Sequence, residues 1–117
     1  MKKVYYLKTC DTCRRILKQL NLEGFELQEI KTDPISISQL EELKEMAGSY
    51  QALFSKRAKK YKEMGLKDQV LTEPDFKHYL LDDYTFLKRP VLIDGQNIFI
   101  GNDKKTVAKL VEVYGLS

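Results

Sequence analysis

A chain of 117 residues with 43% hydrophobic and 32% charged side chains has the balance of one globular domain, which excludes a disordered or low-complexity polymer. A net charge of +3 favours anionic ligands mildly and is too small to argue for direct nucleic-acid binding. No apolar run nears the roughly 20 residues that cross a bilayer, and MKKVYYLKTC holds too short an apolar stretch for a secretory signal; no membrane contact and a cytoplasmic location are expected.

Val4 to Leu7 predicts a short buried strand. A helix is expected from about Asp11 to Leu22, because Cys13, Ile16, Leu17 and Leu20 recur at helical spacing and Gly24 can end it. Phe25 to Ile30 predicts a second strand, so the first thirty residues read as a right-handed βαβ unit with parallel strands. From Pro34 to about Lys88 the signals are helical only. One helix is expected behind a capping box at Ser38–Glu41, with Ile37, Leu40, Leu43 and Met46 on its apolar face and Gly48 as its stop. A second is expected from Ser55 to Met64. A third is expected behind Thr72, with Pro74 in its first turn and Phe76, Tyr79 and Leu80 inward. Val91–Ile93 and Ile98–Ile100 flank Asp94-Gly95 and predict a hairpin, with a tight turn at that dipeptide or a loop extending through Gln96 and Asn97. A last helix is expected to begin near Asp103, to carry Val107, Leu110, Val111 and Tyr114, and to end at Gly115. These elements imply a single α/β domain over 1–117, with one mixed sheet and a helical insertion at about 34–88.

Both cysteines lie in YLKTCDTCRRIL. The pair admits three readings: a redox centre, half a metal site, or two core thiols. A metal site needs further ligands at matching spacing, and His78, the single histidine, falls on the polar side of its helix; no metal is expected. Cys10 falls where a strand ends and a helix begins, so unpaired N–H groups and the positive dipole end favour its thiolate. Lys8 and Arg14 add to this and Asp11 opposes it. Cys13 lies one turn on, within the apolar stripe. An exposed Cys10 beside a covered Cys13 suits a nucleophile and a resolving thiol.

The Cys10-x-x-Cys13 turn in a βαβ start, together with ALFSKRAKKYKEMGL (Ala52 to Leu66) and LKRPVL (Leu87 to Leu92), resembles the glutaredoxin-like arsenate reductases and their Spx relatives over nearly the whole chain. The resemblance implies a thioredoxin-like, glutaredoxin-type fold with Pro90 as its cis-proline. It implies Cys10 as the nucleophile, a cysteinyl–arsenate adduct, and electrons from glutathione and glutaredoxin, with no bound cofactor. In such reductases three arginines hold the oxyanion. Arg89 matches one; Ser55 stands where the first would be, with Arg57 two positions on, and Phe99–Asp103 holds no arginine where the third is expected. The catalytic set so implied is Cys10, Cys13 and Arg89, with Thr9, Thr12, Arg57 and Pro90 as substrate contacts. The alternative reading of Arg57 is a solvated face shared with Lys56, Lys59 and Lys60.

Arsenate is an anion and must meet a thiolate, so fewer arginines imply weak arsenate turnover or another electrophile, such as a glutathione mixed disulfide. Arg57, Gly101-Asn102 and the two-cysteine motif resemble the Spx branch, which implies a redox-sensing partner of the RNA polymerase α-subunit. The chain ends at Ser117 without a basic extension, which weighs against a full regulator. A glutathione-binding module without turnover is a third expectation.

Overall fold

In the computed structural model, which describes residues 1–116, the elements in chain order are β1 (Lys2–Tyr6), α1 (Asp11–Lys18), β2 (Glu26–Glu29), α2 (Ile37–Ala47), α3 (Lys59–Glu63), α4 (Glu73–Asp82), β3 (Val91–Asp94), β4 (Asn97–Ile100) and α5 (Lys104–Tyr114). They divide into two units. One contains Met1–Asp33 and the chain from Arg89 onward; the other is Pro34–Lys88.

The first unit is built on one mixed sheet in the order β2-β1-β3-β4. β1 and β2 are parallel, as a strand–helix–strand crossover requires, and β3 and β4 pair antiparallel with their neighbours. Val4 and Leu92 stand opposite each other in adjacent strands, and they share a core with Ile16, Leu20 and Leu110. The first and last helices therefore cover the same face of the sheet. Full burial of each such aliphatic side chain contributes about 1.5–3 kcal/mol. On the alternate positions Lys3, Tyr5, Val91 and Ile93 are also buried. Lys3 pairs there with Glu26 at 2.9 Å and lies 5.4 Å over the Tyr5 ring. The observed class is the expected one: α/β, with a parallel βαβ start and a terminal hairpin.

Several boundaries differ from expectation, each for a tertiary reason. α1 stops at Lys18 rather than Leu22, because the chain beyond it pairs with the C-terminal segment. Leu20 bridges Gly115, the Asn21 N–H donates to the Tyr114 carbonyl at 2.7 Å, and the Leu116 N–H donates to Gln19 at 2.9 Å. β2 is shorter than Phe25–Ile30, since Phe25 turns edge-on to Tyr114 at 5.7 Å. The hairpin turn is Gly95-Gln96 rather than Asp94-Gly95: Asp94 still pairs with Asn97, and Gly95 takes the positive φ of +62°.

The second unit is helical. The capping box of α2 is Ser36 with Gln39, not the expected Ser38–Glu41, and Ile37 is consequently exposed rather than inward. The expected helix at Ser55–Met64 shrinks to α3. Phe54 bridges Leu87 and the Ser55 N–H donates to the Phe86 carbonyl at 2.7 Å, so this stretch is held extended. Phe54 centres an aromatic cluster, with Phe76, Phe86 and Tyr61 rings at 4.9, 5.1 and 5.9 Å. The Glu73 carboxylate accepts the Tyr50 and Gln51 N–H groups at 2.7 and 3.1 Å, tying the start of α4 to the turn after α2. Among the described residues no helix is long and apolar enough to cross a membrane.

Candidate active site

β1 runs out at Tyr6, and four residues separate it from the start of α1. Cys10 occupies the N-cap, in extended backbone, with its N–H donating to the Leu7 carbonyl and its carbonyl accepting from Arg14, both at 3.1 Å. Its sulfur therefore sits over the open N–H end of α1, where anions are favoured. Cys10 is partly exposed, Cys13 is fully buried, and both thiols are free.

Partial burial works against a Cys10 thiolate. The backbone N–H and thiol of Cys13 and the Arg89 guanidinium outweigh it, so the thiol ionises below its ordinary value. Cys13 goes the other way. Burial, reinforced by the negative charge on Cys10, pushes its thiol up to about 12. One turn of helix thus separates a sulfur whose ionisation is eased from one whose proton is held more tightly, the second thiol hydrogen-bonding to the first.

Arg89 comes from the opposite end of this unit, just before β3, through a cis Arg89–Pro90 peptide bond. Its guanidinium reaches the Cys10 sulfur and places positive charge beside both cysteines. Pro90 is buried behind it, with its carbonyl accepting the Gly101 N–H at 2.9 Å. Cys10, Cys13, Arg89 and Pro90 are thus brought together in the sheet unit. Thr9 is exposed and Thr12 half-buried on either side of Cys10 in the chain. Arg57 belongs to the helical unit, where it is exposed and its N–H donates to Ser55 Oγ at 3.3 Å.

The charges nearest in sequence act differently from expectation. Arg14 pairs with Asp11 on the exposed face of α1, so its charge and the opposing one of Asp11 offset each other. Lys8 contributes its backbone rather than its ammonium. Its N–H donates to Glu29 Oε2 at 2.8 Å, and Glu29 Oε1 accepts the Lys31 and Thr32 N–H groups at 3.0 and 2.8 Å. Slight burial opposes the Glu29 charge, but these donors hold the carboxyl below its usual range. The residue before Thr9-Cys10 is thereby tied to the end of β2. Sequence reasoning missed Glu29, because a glutamate at a strand end carries no capping signature. It noted Asn102 only as part of a resemblance, although the Asn102 side chain donates to the Arg89 carbonyl at 3.1 Å. His78 is exposed on α4, 5.5 Å from the Tyr79 ring. Among the described residues no three His, Cys, Asp or Glu side chains gather as metal ligands.

The arrangement can present a thiolate to an electrophile, steady an incoming anion with one guanidinium, and offer a second thiol one turn away. Comparison with known proteins bears on the family and the fold. The ArsC family model matches residues 5–110. The uncharacterized protein YusI of Bacillus subtilis is 31% identical over 102 residues, covering 83% of this chain and 86% of its own. The global transcriptional regulator Spx 1 of Bacillus cereus is 24% identical over 95% of this chain and 87% of its own. The arsenate reductase of Escherichia coli is 25% identical over 77% of this chain and 66% of its own. The solved structure of an arsenate reductase from Vibrio cholerae superposes with a TM-score of 0.74 at 17% identity, covering 96% of each chain.

Proposed function

The chain belongs to the ArsC family, with its thioredoxin-like fold, and we propose that it is a thiol-dependent reductase whose Cys10 thiolate attacks a small oxyanion or a disulfide. The observation that carries this reading is the partly exposed Cys10 at the N-cap of α1, ionised below the ordinary thiol value with the Arg89 guanidinium beside it.

With arsenate, the thiolate forms an S–As bond and an arsenate oxygen leaves as water once protonated; arsenic stays As(V). Arg89 offsets the repulsion between the two anions as they meet. A second thiol, Cys13 or glutathione, then attacks the Cys10 sulfur. The S–As bonding pair departs with arsenic, which becomes As(III), and the two sulfurs are left as a disulfide. Glutathione or glutaredoxin, as reductant, returns Cys10 to the thiolate. With a disulfide substrate the first step is thiol exchange, and the leaving group is a thiolate. Cys13 attacks only after losing its proton, which its pKa of about 12 makes slow unless a base or the leaving group accepts it. Glutathione as co-substrate places the reaction in a reducing cytoplasm.

Turnover of arsenate and of a glutathione mixed disulfide, with glutathione and glutaredoxin present, tests the proposal. Cys10→Ser abolishes both reactions and Cys13→Ser slows them; wild-type protein that reduces neither substrate ends the reading. A second reading is favoured by the length of the match to Spx 1 and by the paired cysteines: a redox-sensing regulator that docks on the RNA polymerase α-subunit. A pull-down with the carboxy-terminal domain of that polymerase chain, in reduced and oxidised states, decides it; absence of binding in both removes it.

A further inference from the structure

We propose that Asn102 is a positioning residue for the site: by holding the Arg89 carbonyl, its side chain sets where the guanidinium meets the Cys10 sulfur. The connection from β4 to α5 grips the Arg89–Pro90 segment at two consecutive carbonyls. The Gly101 N–H takes Pro90 at 2.9 Å, and the Asn102 amide takes Arg89 at 3.1 Å. Pro90 has no N–H of its own, so the segment has one donor fewer and these two carbonyls anchor it. The grip is itself fixed from both sides. Ile100 pairs with Val91 in the hairpin, and Asp103 caps α5 by accepting the Thr106 N–H at 3.2 Å. Between them Gly101 takes a φ of +86°, where a side chain is strained, and so turns Asn102 toward Arg89.

The chemistry at position 102 is directional. A carbonyl needs a donor, so only the NH2 end of the amide serves, and a carboxylate of the same shape would set oxygen against oxygen. Neither Asn102 nor its bond touches the sulfurs; its effect passes through the Arg89 backbone. The role is thus distinct from that of Arg89, whose guanidinium acts on the thiolate directly. Besides Arg89, the group that acts on that thiolate is Cys13, through its backbone N–H and its thiol; the Asn102 amide goes to the Arg89 carbonyl instead.

The inference rests on the reading of Cys10 as the attacking thiolate, and one experiment separates the two. Cys10 alkylation by iodoacetamide is followed against pH in four proteins: wild type, Asn102→Ala, Arg89→Ala and the double variant. With Arg89 present, Asn102→Ala moves the midpoint up by about half a pH unit, roughly threefold less thiolate below the midpoint. With Arg89 removed, the same substitution moves it no further, because the group it positions is gone. Equal shifts in both backgrounds, or no shift in either, overturn the positioning role and leave the thiolate reading intact. A wild-type midpoint at the ordinary thiol value overturns both. Asn102→Asp keeps the shape and loses the donor, and serves where the alanine variant does not fold. Its charge acts in both backgrounds, so the difference between backgrounds is the quantity read.

Discussion

The two units of this chain are held together by different physics. The helical unit is fixed by packing: Phe54 meets Phe76, Phe86 and Tyr61, and carboxylates on α4 and at its N-terminus close its turns. The sheet unit has an aliphatic core on the α1 and α5 face, but its reactive end is fixed by backbone groups. Leu7 takes Cys10, Glu29 takes Lys8, and Gly101 and Asn102 take Pro90 and Arg89. Packing tolerates changes of volume by repacking, whereas a thiolate at a helix end depends on donors being held in fixed directions. The contrast predicts that substitutions of Cys10, Arg89 and Asn102 act on titration and turnover, and those in the aromatic cluster of the helical unit on stability.

The largest effect expected is that of Cys10→Ser, which removes the nucleophile and with it all measurable turnover, while the melting temperature stays near that of wild type. Phe54→Ala should destabilise by about 3–5 kcal/mol, the cost of an aromatic side chain lost from a closed core, read by thermal or denaturant unfolding. A cost below about 1 kcal/mol would contradict the packing account of that unit. Glu29→Gln keeps the shape of the side chain and removes the charge that collects three backbone N–H groups; about 1–2 kcal/mol is expected from weakened charge-assisted bonds. The Glu29 contribution has a definite sign with pH. Its folded carboxyl lies below the ordinary value, so its stabilisation is present above the unfolded value of ~4.3 and is lost as pH falls through the folded one.

Smallest in effect is the pair of Tyr114 with Asp94 at 2.8 Å, which joins α5 to the hairpin. Burial, with the Asp94 carboxylate as acceptor, pushes the phenol up to about 12. A raised pKa means the unfolded chain ionises first, so stability is full below the unfolded value of ~10 and declines as pH rises toward about 12. Tyr114→Phe should show a shallower decline over that window. An identical alkaline profile in the variant would assign the loss to other groups.

Local patterns made much of this fold legible in the chain. Val4–Leu7 followed by the Cys13, Ile16, Leu17 stripe marked a strand and a helix, and the helix onset placed Cys10 at its open end. The apolar runs around Asp94-Gly95 marked the hairpin, with the turn one residue further on than the dipeptide suggested. What was illegible depends on partners far away in sequence. α1 ends early because Leu20 and Asn21 are claimed by the C-terminal segment, and Ser55 is drawn out of a helix by Phe86. Composition nearby contains neither fact. The same holds at the site. Lys8 and Arg14 are the cations nearest Cys10 in sequence, yet the guanidinium beside its sulfur belongs to Arg89, which the family resemblance alone pointed to, and the groups that hold the surrounding backbone, Glu29 and Asn102, show no local motif.

The account depends most on the Cys10 sulfur carrying its charge because Arg89 and the start of α1 surround it. Alkylation of Cys10 against pH, in wild type and in Arg89→Ala, measures this directly. The predicted result is a wild-type midpoint below the ~8.5 of a free thiol and a higher one in the variant. A wild-type midpoint at or above that value, or one unmoved by loss of the guanidinium, contradicts it.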